Sequence, residues 1–119
     1  MKDVVKAMKA LSDETRLRIL NVLLERECCV CEVMQALGIS QTRASRNLGI
    51  LHDAGFLRMR KEGLWALYSI DQDGMKEYYP SLVDAVQKSL QDDEVAAQDR
   101  KRLKTAERVG PGCVKKCGR

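Results

Sequence analysis

Rings are scarce in this chain. Aromatic residues make up 4% of its 119 positions, and His52 is the only histidine. Leu, Val, Ile, Met and Ala must therefore fill the core, which suits helix packing better than a β-sandwich. No apolar run is long enough to span a bilayer, and Met1-Lys2-Asp3 begins no apolar signal segment. The expectation is a cytoplasmic protein with no membrane partner. There is no Gly-rich phosphate loop, and a cysteine nucleophile would have only one histidine to serve as its base. Neither an enzyme nor an organic cofactor is expected. No internal repeat is present, and the length favours one domain with a modest core.

The net charge of +4 is unevenly placed. Residues 99–119 hold eight Lys/Arg against two Asp/Glu, a balance of +6, while the preceding residues hold 13 against 15, a balance of −2. A basic end of this kind suits nonspecific phosphate binding or simple solvation. The chain divides accordingly into a domain over residues 1–92 and a basic, partly flexible tail over residues 93–119.

Apolar spacing predicts the elements. Val4, Met8 and Leu11 suggest a helix over residues 2–11. Ser12 is the expected cap of a second helix over 13–26, where Leu17, Leu20 and Leu24 form a stripe. Residues 31–37 read as a short third helix stopped by Gly38. Ser40 caps a fourth helix from Gln41 to about Ala54, ended by Gly55. Gly49 is out of place inside it, unless it permits a close approach. The alternating runs at 56–60 and 64–70 flank Lys61-Glu62-Gly63 and predict a β-hairpin. Pro80 belongs in the first turn of a helix reaching about Asp92. The fold class is mainly α with a small β-hairpin, a winged helix-turn-helix.

The second helix of such a unit lies in the major groove of DNA. Its exposed N-terminal positions are Ser40, Gln41, Thr42, Arg43, Ser45 and Arg46. Arg pairs bidentately with guanine, Gln with adenine, and Ser or Thr with phosphates or bases. In the hairpin, Arg58, Arg60 and Lys61 are placed to reach phosphates or the minor groove. Double-stranded operator DNA is thus the expected partner.

Three of the five cysteines, Cys28, Cys29 and Cys31, fall within four residues just ahead of this unit. In a reducing compartment, clustered thiols suit soft metal ions or redox sensing rather than structural disulfides. Trivalent arsenic or antimony fits three sulfurs, whereas Cd, Pb or Zn wants a fourth ligand. On a regular helix, residues two apart project about 200° apart. Cys29 and Cys31 would then need a distorted helix start, while Cys28 and Cys31 would share a face. A helix N-terminus is also expected to lower the thiol pKa. Cys113 and Cys117 could supply another ligand, form a second site, or be inert.

Taken together, residues 4–92 resemble the ArsR/SmtB family of metal-responsive repressors, closest to its arsenic-sensing branch. The resemblance rests on Ala10–Leu20, on Glu27-Cys-Cys-Val-Cys-Glu-Val33, on Ser40–Leu48 and on Leu51–Leu57. The second of these is similar to the family's Glu-Leu-Cys-Val-Cys-Asp-Leu metal box. The family implies a homodimer joined through its first and last helices, bound to operator DNA without the ion and released by it. By position, Cys29 and Cys31 match the box cysteines, Cys28 replaces the box leucine, and Met34 stands where a third cysteine is frequent. Cys28, Cys113 and Cys117 compete for that third role. Residues 80–92 contain no His, unlike the zinc-sensing branch. The implied effector is As(III) or Sb(III), with a Cd/Pb-responsive or a thiol-redox or persulfide-responsive repressor as the alternative.

Overall fold

Two adjoining helices, α1 (Lys2–Leu11) and α2 (Glu14–Leu23), begin the computed structural model, which describes residues 1–73 and 76–109. Asp13 is extended (φ −152°, ψ 131°), and its carboxylate accepts from the Arg16 N–H at 3.1 Å, so Asp13 rather than Ser12 caps α2. Ser12 instead closes α1, donating its hydroxyl to the Lys9 carbonyl. In α1 the buried residues are Ala7 and Ala10, whereas Met8 is half exposed. The small alanines let α1 lie close to its neighbours, and the expected Val4–Met8–Leu11 stripe is not the core face.

Strand β1 (Cys28–Cys29) runs directly into α3 (Val30–Leu37). Gly38 ends α3 in the left-handed region (φ 69°), its N–H bonding the Met34 carbonyl at 2.8 Å. Helix α4 (Gln41–Asp53) follows, with the Ser40 hydroxyl accepting from the Arg43 N–H at 3.2 Å. Its buried face is Ala44, Asn47, Leu48 and Leu51. Nothing lies within 4 Å of where a Cβ on Gly49 would point, so the close approach that might have explained this glycine is absent.

The hairpin is β2 (Leu57–Glu62) and β3 (Trp65–Ile70), and β1 adds to it as a third antiparallel strand in the order β1-β3-β2. Between α2, α3, α4 and the sheet lies a core that includes Ile19, Leu20, Val33, Leu48, Leu51 and Phe56, all fully buried. Helix α5 (Tyr79–Leu90) has Pro80 in its first turn, as expected. Tyr79 stacks on Phe56 with ring centroids 4.5 Å apart and donates its hydroxyl to the Ala54 carbonyl at 2.7 Å.

Beyond Asp92 the sequence pattern weakens, yet residues Glu94–Leu103 form a further helix, α6, packed on α2 and α3. Asp93 caps it, accepting from the Ala96 N–H. Its inward face is Ala96, Asp99 and Leu103, and a charged residue in the middle hides the apolar period. Asp99 is fully buried and takes two hydrogen bonds from Arg18, at 2.7 and 2.9 Å, and one from Arg102 at 2.8 Å. The hydrogen bond to Asp99 raises the Arg18 pKa. A tail beginning at residue 93 is therefore corrected: residues 94–103 belong to the packed unit. Among the described residues, no helix is long and apolar enough to cross a membrane.

Candidate metal centre and nucleic-acid interface

The cysteine cluster straddles a strand and a helix, and this decides which sulfurs meet. In β1, Cys28 pairs with Tyr68 and Cys29 with Leu67. Successive strand residues point to opposite faces. Cys28 accordingly enters the main core, its Sγ 3.4 Å from the Arg26 carbonyl. Cys29 turns the other way, into a separate cluster with Cys31 and Leu67. Because Cys29 is the extended residue ahead of α3 (φ −84°, ψ 172°), the rule for residues two apart on a helix does not apply to it. The Cys29 and Cys31 sulfurs lie 3.0 Å apart. No distortion of α3 is needed to bring them together, and Cys28, which regular helix spacing would set beside Cys31, lies in the other cluster.

Burial also reverses the expected acidity. It pushes the Cys28 thiol up to about 12 and the Cys29 thiol up to about 11, outweighing the helix N-terminus. Cys28 and Cys29 are thiols, and Cys31 is disulfide-bonded. Cys113 and Cys117 lie outside the described residues. Among the described residues, no three His, Cys, Asp or Glu are grouped to hold a metal ion.

Around the pair stand residues that the sequence reading passed over. Glu32, buried to 3% exposure, accepts from the Cys29 N–H at 2.9 Å and from Arg26 at 2.6 Å. Its place three residues after the cap is the capping-box spacing, a signal readable from sequence. Trp65 packs on the pair from β3 and Met34 from α3. Gln35 bonds the backbone of Glu107, for which the sequence offered no signal.

On α4, Thr42, Ser45 and Arg46 are exposed and Gln41 is partly so, as is required of a surface that meets DNA. Exposed Ser40 serves the helix cap. Arg43 is turned back, donating to the Thr15 hydroxyl at 2.7 Å. Asn47, beneath it, accepts from Arg16 at 2.9 Å and donates to the Arg43 carbonyl. Arg58, Arg60 and Lys61 are all exposed on β2, but Arg60 is engaged by Glu27 and Glu62. The hydrogen bond from Arg60 lowers the Glu27 pKa. His52 is exposed, 3.9 Å from Asp53, with its ring edge-on to Tyr68.

Residues 13–58, from the cap of α2 through the cysteine pair and α4 into β2, match the family described as bacterial regulatory protein, arsR family. A homodimeric winged helix-turn-helix DNA-binding domain from Mycobacterium bovis, described as a possible ArsR-family transcriptional regulator, superposes with a TM-score of 0.64 at 31% identity. The match covers 78% of this chain and 82% of that one. The chain belongs to the arsR family. Two further members are a homologue of the cadmium resistance transcriptional regulatory protein CadC from Staphylococcus aureus and an arsenic resistance transcriptional regulator from Pseudomonas putida. The first is 45% identical over 76 residues, covering 63% of each chain. The second is 40% identical over 85 residues, covering 71% of this chain and 62% of the relative. The chain thus spans a little under two thirds of the length of these two relatives. Members of the arsR family are transcriptional regulators rather than enzymes, and the winged helix-turn-helix expected from sequence is the fold observed.

Proposed function

We propose that this protein is a cytoplasmic, homodimeric transcriptional repressor that binds operator DNA and releases it when As(III) or Sb(III) binds its cysteine sulfurs. The observation that carries the reading is the Cys29–Cys31 pair, two sulfurs 3.0 Å apart at the junction of β1 and α3. That junction is bonded to both DNA-facing parts. β1 is hydrogen-bonded into the wing through β3, and α3 packs on α4. An ion that resets the sulfurs thereby acts on Gln41, Thr42, Arg43, Ser45 and Arg46 in α4, capped by Ser40, and on Arg58, Arg60 and Lys61 in the wing. A coupling of ~1–3 kcal/mol would weaken DNA binding roughly 5- to 150-fold.

Acid–base chemistry supports a trivalent ion. With Cys29 raised to about 11, the site presents a protonated thiol at neutral pH. A bare cation must expel that proton to solvent. Arsenous acid carries its own base: each As–OH leaves as water with one S–H proton as an As–S bond forms. Once a thiol reductant has opened the Cys31 disulfide, three thiols and one As(OH)3 give three As–S bonds and three waters, with no net proton release.

Cys28 faces the main core and is the poorer third ligand. Val109 packs against the Cys29–Cys31 cluster, and Cys113 is four residues further on, a reach of roughly 13 Å if extended. We assign the third sulfur to Cys113, with Cys117 as its alternate. A thiol-redox repressor is the second reading, favoured by the disulfide at Cys31.

An operator gel shift in reductant, titrated with As(III), Cd(II), Zn(II) and peroxide, separates these readings. As(III) is expected to release the DNA, with Cys29→Ser, Cys31→Ser and Cys113→Ser each abolishing the response and Cys28→Ser retaining it. A complex that survives saturating As(III) would refute the arsenic reading, and release by peroxide alone would support the redox one.

A further inference from the structure

The sulfur pair is covered by the chain segment that follows α6. Cys29 is 1% exposed and Cys31 fully buried, yet neither is part of the main core. Among the described residues, Met34, Trp65 and Val109 pack against them, with the Glu107 carbonyl 3.7 Å from the Cys31 Sγ. Residues 104–109 have no helix or strand ladder of their own to hold them in place. They are instead fastened by side chains from the elements that carry the cysteines. The Gln35 amide in α3 donates to the Glu107 carbonyl at 2.7 Å and accepts from the Glu107 N–H at 3.1 Å. The Trp65 indole in β3 points its N–H at the Val109 carbonyl, 3.5 Å away. Arg108 lies 3.5 Å from Glu32, the same carboxylate that accepts from the Cys29 N–H. Arg26, bonded to Glu32, also donates to the carbonyls of Leu103 and Ala106.

We propose that residues 104–109 are a strap that gates reagent and ion access to Cys29 and Cys31, with Gln35 as its latch. With the Cys31 disulfide reduced, most of the fastenings are exposed or half-exposed hydrogen bonds, each with a modest net worth. A segment of this kind opens locally far more often than the domain unfolds. The two Gln35 bonds meet one residue of the strap, directly over Cys31, so their loss should favour opening without touching the core. The proposal deepens the role of the sulfur pair, but access to the pair can be measured with neither ion nor DNA. Its failure is therefore distinguishable from failure of the repressor reading.

The test is pulsed labelling of the reduced, full-length protein with iodoacetamide, read residue by residue by mass spectrometry. Cys28 is the internal control, because it is buried in the main core and not in the Cys29–Cys31 cluster that Val109 covers. Gln35 is exposed, so Gln35→Ala should fold normally. The variant is expected to label Cys29 and Cys31 about tenfold faster, with the Cys28 rate unchanged and the Trp65 emission shifted to the red. Equal rates in the two proteins would overturn the proposal. So would a parallel rise at all three cysteines, which would mean that the whole domain had loosened.

Discussion

Arg60 in the wing is held by Glu27, the residue just before the cysteine strand, through two hydrogen bonds of 2.8 and 2.7 Å. Glu62 adds a third contact at 3.0 Å. A basic side chain of the wing is thereby occupied by carboxylates of its own chain. On the proposed reading, in which Arg60 meets a DNA phosphate, Glu27 competes with DNA for it.

Replacing Glu27 by Gln should strengthen operator binding a few-fold. It should also steepen the dependence of log K on log salt by about 0.9 for each Arg60 that gains a phosphate. Fluorescence anisotropy across a salt series measures both. An unchanged slope would mean that Arg60 makes no phosphate contact even when released.

Asp99 should prove essential to stability although no site contains it. Its carboxylate is fully buried between Arg18 and Arg102. Asp99→Ala leaves the Arg18 guanidinium partly buried without its partner, a change expected to cost about 3 kcal/mol. Urea unfolding followed by circular dichroism gives the value. A loss below about 1 kcal/mol would show α6 to be outside the cooperative unit.

Gly49→Ala is expected to stabilise the fold by up to about 1 kcal/mol, since the glycine is inside α4 and a methyl group there meets no atom within 4 Å. The midpoint of thermal unfolding should rise by a few degrees. A fall would place something against α4 that the single chain does not contain, such as a second subunit.

The pH dependence of ion binding distinguishes cations from arsenous acid. Burial pushes the Cys29 thiol up to about 11, so at neutral pH Cd(II) must release a proton when it binds that sulfur. Its affinity should therefore rise with pH, about tenfold per unit for each thiol. As(III) affinity should stay nearly flat from pH 6 to 8, because the protons leave in water. Competition titrations across that range check the slope, and a flat Cd(II) profile would show that the thiols are already ionised.

Much of the fold was readable because the apolar spacing in α2, α3 and α4 has few interruptions, and because Gly38 and Gly55 stand where helices stop. Helix α6 was not readable, since its buried face contains Asp99, whose ion pair with Arg18 spans 81 positions. The site divided in the same manner. Cys29 and Cys31 were singled out by residue type and spacing, but their facing depended on a two-residue strand too short to leave a period. Thiol acidity was misjudged for a related reason: a helix N-terminus is visible in sequence, whereas the burial that outweighs it is a property of the packing. Arg43, picked for its charge, is tied to Thr15 by a contact between helices that no local pattern encodes.

The alternation along β1 sets different limits on three neighbouring cysteines. Position 28 belongs to the apolar interior, where the family resemblance puts a leucine, and a small hydrophobic side chain should serve there as well as a thiol. Positions 29 and 31 look out toward the strap, and the ion binding proposed for them requires sulfur. Related chains are therefore free to drift at the first of the three positions and bound at the other two. The number of cysteines in the motif is for that reason a poor guide to the number of ligands.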